Sequence, residues 1–325
     1  MKPTVAIIGL GVMGQRMLAN MAMHQIFGAI DGWDPDATAC DRARFIVPEL
    51  RIAADPLDLI TDNQTDIVYI ACPPAHHRTY AMAAIDAGKT IFCEKPLGID
   101  ISESISLVDA VETAGNKHAV NFSLASAVAV EFIEQSLTDG TIGTVQAVDI
   151  QLHFSQWPRD WQIPATWLSQ RIEGGFVRET FSHYAYLLQR LFGPTTIKSA
   201  YTRYPDDGIS AEIQSIAALD CNGIPVSFTG GTGGIASSQS DTIEFTIWGT
   251  DAICQLFDWN RVRTSIGQGW TEHLTDIPDL RQEGYRRGLQ NLDHLWHERP
   301  HRLPTFRNAL DVQQIVEGIL ADRTE

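Results

Sequence analysis

Basic residues are scarce. Twenty-four lysines and arginines stand against 40 aspartates and glutamates in 325 residues, a formal net charge of −16. Nucleic acid and anionic membrane surfaces are therefore not expected partners, since both select a basic stripe. A local basic pocket for a small anion stays open. Nowhere do about 18 apolar residues run consecutively, so no membrane-spanning helix is expected. Glycines at 9, 11 and 14 interrupt the N-terminal apolar run, and no small-residue cleavage site follows, which argues against a secretory signal. The cysteines (Cys40, Cys72, Cys93, Cys221 and Cys254) are scattered, odd in number and without paired metal spacing. They fit the reduced thiols of a cytoplasmic protein. Internal repeats, low-complexity segments and flexible linkers are also lacking. What remains is a globular composition, 44% hydrophobic and 20% charged, with length for about two domains.

The first 122 residues alternate strand and helix patterns. Val5–Ile8 is a short β-branched run, followed by Gly9-Leu10-Gly11-Val12-Met13-Gly14 and then helix formers from Gln15 to Met23. In a strand–G-x-G-x-x-G–helix unit the glycines permit a tight turn, close approach of a pyrophosphate and close helix–strand packing. The phosphate then meets free N–H groups at a helix N-terminus. An acid is expected about 20 residues further on. Asp34 fills that place, at the end of a second strand over Phe27–Trp33. A carboxylate there accepts ribose hydroxyls and repels a 2′-phosphate, and Pro35 and Asp36 supply no compensating arginine. NAD is therefore expected over NADP.

Asp66–Ala71 reads as a third strand, ending in the loop Cys72-Pro73-Pro74-Ala75-His76-His77 along the cofactor edge. His76 and His77 have two readings, polarising a ligand or packing and capping beside the cofactor. Tyr80–Gly88 reads as a helix closed by glycine. Thr90–Cys93 is the next strand, and it delivers Glu94-Lys95-Pro96 at its tip. Ligands of open parallel sheets bind at such carboxyl ends. Proline restrains the residue before it, which here is Lys95. A helix over Ile101–Ala114 and a strand over His118–Phe122 complete a doubly wound parallel sheet.

From residue 123 the pattern turns strand-rich. After a helix near Ala127–Leu137, strand signals cover Val145–Phe154, Ile197–Tyr204, Ile213–Asp220, Val226–Thr232, Thr242–Trp248 and Ile253–Asp258. They predict a large, mostly antiparallel sheet in a second α/β domain, residues 123–325. A closing helix is expected over Asn308–Ala321. Gln156–Arg171 carries Trp157, Arg159, Trp161, Trp167 and Arg171. Such a loop either stacks indoles on a sugar ring and clamps its polar groups, or serves packing and subunit contact. Phe176–Phe192 reads as one helix bearing Arg178, Glu179 and His183, with Glu179 and His183 on one face. That spacing either orients an imidazole for proton transfer or forms a surface pair. His294, His297 and His301 lie beside Glu298, but Pro300 interrupts them and no metal is expected.

Taken together these motifs resemble the glucose–fructose oxidoreductase/inositol dehydrogenase/MocA family: G-L-G-V-M-G, Asp34, P-P-A-H-H, E-K-P, Gly174-Gly175 followed by His183, and L-P-T-F at Leu303–Phe306. The resemblance implies a Rossmann domain, then an open sheet often used for oligomer contacts, hence a homodimer or homotetramer. It also implies hydride transfer between nicotinamide and a carbon bearing a hydroxyl. Carried over, Lys95 hydrogen-bonds the reacting oxygen, His183 is the main acid/base and Glu179 assists it. Gly9, Gly11, Met13, Gly14, Asp34, Pro73, His76, Glu94 and Lys95 would meet the cofactor, and Lys95, Trp161, Arg178, Glu179 and His183 the substrate.

The chain departs from the family pattern around the histidine. Aspartate four residues before it becomes Glu179, glycine two before becomes Phe181, and aspartate three after becomes Tyr186. A longer carboxylate and a bulkier neighbour imply a substrate other than a standard inositol or glucose. Arg178 facing a carboxylate would favour an acidic sugar or amino-acid-like substrate. The expected function is an NAD-dependent dehydrogenase of a small sugar, polyol or sugar derivative. Rivals are a β-hydroxyacid dehydrogenase with a helical second domain, a redox-assisted glycosidase and a non-catalytic cofactor-binding regulator.

Overall fold

The computed structural model describes residues 2–233 and 241–321. The chain divides into two compact units, 1–125 with 285–311, and 126–284 with 312–325.

In the first unit the order is β1 (Val5–Ile8), α1 (Val12–His24), β2 (Ile30–Trp33), α2 (Ala37–Ile46), β3 (Arg51–Ile52), α3 (Pro56–Ile60), β4 (Ile67–Ile70), α4 (His77–Asp86), β5 (Thr90–Glu94), α5 (Ile101–Ala114) and β6 (His118–Asn121). The six strands lie in the order β3-β2-β1-β4-β5-β6 and every pair is parallel. This is the doubly wound sheet that the alternating pattern predicts. The two-residue edge strand β3 has no sequence signal of its own.

Local chemistry sets the helix starts. Asp36, Asp55 and Asp100 each precede a helix and accept a main-chain N–H of its first turn, from Thr38, Leu57 and Glu103. Helix α1 starts differently, at Gly11, with no capping side chain. The core packs Val5, Ile7, Leu18, Met21, Ile67, Tyr69 and Phe92 with Leu289, Leu292, Leu295 and Leu303 from far along the chain. Each such side chain contributes roughly 1.5–3 kcal/mol on burial.

The second unit contains α6 (Val128–Thr138), β7 (Val145–Phe154), a π-helical turn (Val177–Phe181), α7 (Ser182–Phe192), β8 (Thr195–Arg203), β9 (Gln214–Cys221), β10 (Ile224–Thr232), β11 (Thr242–Gly249), β12 (Ile253–Phe257), β13 (Arg261–Ser265) and β14 (Thr271–His273). Two further helices, α8 (Leu280–Trp296) and α9 (Phe306–Leu320), cross the unit boundaries. The eight strands run β14-β13-β12-β11-β7-β10-β9-β8, antiparallel except for β7 with β10. Alternation places Val148, Ile150, Leu152 and Phe154 of β7 inside. Such a sheet excludes the helical second domain of the β-hydroxyacid dehydrogenase reading. The region read as one helix, Phe176–Phe192, opens instead with the π turn. Five residues are too few for a hydrophobic period to separate π from α.

Candidate functional site

In the first unit, Gly9 follows β1 with φ +102°, a left-handed conformation, and a Cβ there would lie 2.6 Å from the Cys72 nitrogen at the end of β4. A Cβ on Gly14 would lie 1.9 Å from the Gly9 carbonyl oxygen. Helix α1 therefore abuts its own turn only because both positions lack side chains. At Gly11 the opposite holds, since a Cβ would meet nothing within 4 Å. Open space over an uncapped helix N-terminus fits a pyrophosphate. Asp34 borders this turn, its carboxylate accepting the Leu10 N–H at 2.7 Å and the Asp36 N–H at 2.8 Å. Strand order reverses between β1 and β4, where open α/β sheets bind ligands. These residues fit NAD. Met13 and Pro73 lie on the same turns, and His76 is exposed on the loop after β4.

Strand β5 ends at Glu94 and passes directly into Lys95, both buried. Glu94, expected against the cofactor, turns its Oε1 to the Tyr69 hydroxyl and to the Asn121 amide at 2.7 Å. Its carboxylate thus anchors β5 to β4 and β6. His77, left between two readings by its sequence, is wholly buried and lies between two main-chain carbonyls. Its Nδ1 is 2.9 Å from the Pro96 oxygen and its Nε2 is 2.9 Å from the Cys72 oxygen. The ring thus ties the loop after β4 to the turn that carries Lys95. Burial pulls the His77 pKa down to about 4, outweighing the carbonyl oxygens that favour its cation.

In the second unit, the π turn presents Arg178 and Glu179 and leads into His183 one turn later. Single π turns recur at functional sites. Arg178, expected against substrate, points elsewhere. Its Nε and Nη2 donate to the two carboxylate oxygens of Glu317 at 2.6 and 2.7 Å. Its Nη1 donates to the carbonyls of Arg171 and Gly174. A guanidinium occupied on all these edges is a structural clamp, and Arg178 gives an acidic substrate no support. Phe181 is wholly buried on Phe228, ring centres 4.1 Å apart, so it fills the core and narrows no site. Tyr186, where the family has aspartate, receives an N–H from Arg190 at 2.8 Å.

Glu179 and His183 do belong to one cluster. Gln162, buried, donates to Glu179 at 3.1 Å and receives the Arg159 Nε–H at 2.9 Å. The Arg159 guanidinium carbon lies 4.9–5.6 Å from the ring centres of Phe154, Trp157, Trp161 and Trp259. Trp259 in turn stands edge-on to the His183 ring, with centres 5.9 Å apart and planes at 86°. Trp161 is 40% exposed, whereas Trp157 donates its N–H to the Leu168 carbonyl. Sequence reasoning misses Gln162 and Trp259. Gln162 carries no signal, but an Asp258-Trp259-Asn260 turn between two strands is an unusual place for a tryptophan.

Among the described residues no group of histidine, cysteine or carboxylate side chains is arranged to hold a metal. His294 and His297 face the main-chain carbonyls of Pro300 and Asp293. Among the described residues no helix is long and apolar enough to cross a membrane.

Residues 4–122 match the family model described as "Oxidoreductase family, NAD-binding Rossmann fold", and residues 134–323 match its "C-terminal alpha/beta domain". An inositol 2-dehydrogenase of Rhodococcus jostii is 31% identical over 144 residues, which is 43% of this chain and 39% of that protein. A levoglucosan dehydrogenase of Pseudarthrobacter phenanthrenivorans is 30% identical over 181 residues, 53% of this chain and 46% of that one. The chain thus spans between a third and a half of the length of these curated relatives. A solved levoglucosan dehydrogenase, in complex with NADH and levoglucosan, shares the fold with TM-score 0.83 and 21% identity, covering 99% of this chain and 97% of that one. The WlbA dehydrogenase of Bordetella pertussis, solved with NADH and UDP-GlcNAcA, superposes with TM-score 0.81 at 19% identity over 98% of this chain and 94% of that one. With family models matching both the parallel-sheet and the antiparallel-sheet regions, the chain belongs to the glucose–fructose oxidoreductase/inositol dehydrogenase/MocA oxidoreductase family.

Proposed function

We propose that this protein is an NAD-dependent oxidoreductase that moves a hydride between nicotinamide and a hydroxyl-bearing carbon of a small sugar, polyol or sugar derivative. The observation that carries the reading is the pairing of Asp34 with the glycine turn, its carboxylate 2.7 Å from the Leu10 N–H beside the open space at Gly11. Names of relatives, inositol and levoglucosan dehydrogenases, support the substrate class.

NAD, when bound, supplies the hydride acceptor. The protein's own residues then hold the nucleotide and manage one proton. Asp34 accepts ribose hydroxyls and disfavours a 2′-phosphate by charge. Lys95 donates a hydrogen bond to the reacting oxygen and stabilises its developing negative charge. His183 takes the hydroxyl proton at a ring nitrogen, and gives it back in the reductive direction. Glu179, tethered by Gln162, orients the substrate hydroxyls from the same helical segment as His183. Trp161 offers an apolar face to the ring carbons.

The test is an NADH absorbance screen over aldoses, inositols, sugar acids and anhydro-sugars, each with NAD and with NADP. Substrate-dependent NADH that vanishes in Lys95→Ala and in His183→Ala, with NAD affinity within threefold of wild type by calorimetry, is the expected result. Turnover retained in both variants would remove the two residues from the chemistry. Silence in both directions with intact NAD binding would favour the regulator or the redox-assisted glycosidase, and release of a cleaved sugar would single out the glycosidase.

A further inference from the structure

The chain closes two of its hairpins with consecutive left-handed residues, and fills them differently. Between β9 and β10 they are Asn222 (φ +54°) and Gly223 (φ +86°), a pair such a turn favours. Between β12 and β13 they are Asp258 (φ +45°) and Trp259 (φ +70°). A bulky aromatic residue at positive φ is a true outlier and persists only where its surroundings over-determine it. Those surroundings are residues of the candidate site. The indole is half-buried, edge-on to His183 at 5.9 Å, 6.4 Å from the Tyr184 ring and 5.4 Å from the Arg159 guanidinium carbon.

These contacts form a circuit. His183 meets Trp259, Trp259 meets Arg159, Arg159 binds Gln162, Gln162 binds Glu179, and Glu179 returns to His183 along the helix. Two side chains on one helical segment are thereby braced from outside it. Within its staggered wells an imidazole is held by its neighbours, and the indole edge-on to it is one that restricts its rotation. We propose that Trp259 is a positioning residue for His183, held in a left-handed turn so that its indole fixes the orientation of the imidazole. The role rests on the proposed function only in what the fixed imidazole is for.

The experiment separates the two. Imidazole nitrogen–proton correlation spectra of the 15N-histidine-labelled full chain are recorded for wild type, Trp259→Gly and Trp259→Phe, with His183→Gln to assign the signal. Glycine suits the turn, so the hairpin is expected to form in Trp259→Gly. Loss of the indole should shift the His183 ring signals, broaden them and move their titration midpoint, while Trp259→Phe restores most of the wild-type pattern. In the same variants, with a substrate from the screen, kcat should fall at least tenfold in Trp259→Gly with KM within threefold, and recover to within threefold of wild type in Trp259→Phe. An unchanged His183 signal in Trp259→Gly would overturn the proposal, as would wild-type kcat in that variant. Should Trp259→Gly fail to fold, Trp259→Leu, which keeps bulk without an aromatic edge, decides: a wild-type His183 pattern there overturns the proposal, and a shifted, broadened one upholds it. Altered His183 signals in a protein that turns over no substrate would leave the positioning role intact and count against the dehydrogenase reading instead.

Discussion

The Nδ1 of His77 lies 2.9 Å from the carbonyl oxygen of Pro96, the residue that follows Lys95. With its other nitrogen at the Cys72 carbonyl, one buried ring joins the ends of β4 and β5. A neutral imidazole carries one N–H, so only one of these contacts is a hydrogen bond at any moment, and protonation would make both. Burial still wins, and holds the group near pKa 4. The folded pKa lies below the ordinary value of 6.5, so the folded state binds fewer protons between the two. His77 thus contributes stability that is fully present above pH 6.5 and lost as pH falls through 4. Urea unfolding of wild type and His77→Gln at pH 7.5 and 5 should show the wild type losing up to about 2 kcal/mol more than the variant. Equal losses would mean that His77 does not titrate in this window.

Glu212 should show the opposite slope. Wholly enclosed, with Oε1 accepting the Val177 N–H at the start of the π turn, it is pushed by burial up to about 7. A carboxyl whose folded pKa exceeds its ordinary 4.5 stabilises the fold fully below pH 4.5 and loses that contribution as pH rises through 7. Glu212→Gln, which stays neutral, should be the more stable protein at pH 8.5 by roughly 1–3 kcal/mol relative to its standing at pH 5. Parallel stability profiles of the two proteins would contradict this.

Arg178 should matter to folding rather than to binding. Removing one partner of a buried ion pair costs roughly 3–5 kcal/mol, because the other is left enclosed and unmatched. Since both side chains here keep some exposure, Arg178→Leu is expected to lose about 3 kcal/mol, and the pair Arg178→Leu with Glu317→Leu to recover part of it. Calorimetric melting checks this. A rise in KM with unaltered melting would return Arg178 to the substrate.

Asp34→Ala should weaken NAD and narrow the preference over NADP. Removing a carboxylate that accepts ribose hydroxyls costs on the order of 1.5–3 kcal/mol, about ten- to hundredfold in Kd. Titration calorimetry with both nucleotides measures it, and an unchanged preference would take Asp34 out of the ribose site.

The parallel sheet was legible because glycines, acid and strand ends fall at spacings dictated by backbone geometry. Gly9, Gly14 and Asp34 announce their roles along the chain. Strands β13 and β14 were not, since Arg261–Ser265 and Thr271–His273 carry more charge and polarity than alternation. At the second-unit site the sequence shows which residue types are near His183 but not where they point. Arg178 and Glu179 are neighbours in sequence, yet one is clamped to Glu317 and the other is tethered to Gln162. The π turn that carries them both sets those directions, and it leaves no period to read. Trp259 lies 76 positions beyond His183, a separation that no local pattern spans.

Leu289, Leu292, Leu295 and Leu303 share one core with Val5 and Ile7. A chain emerging from the ribosome therefore makes the glycine turn long before it supplies the leucines that complete the core beneath it. Until residue 303 has been synthesised, a nascent nucleotide-binding unit exposes the apolar cleft those leucines will fill, although domains of larger proteins commonly fold in order of synthesis. A fragment cut at residue 125 carries every element of the parallel sheet and still lacks part of its own interior.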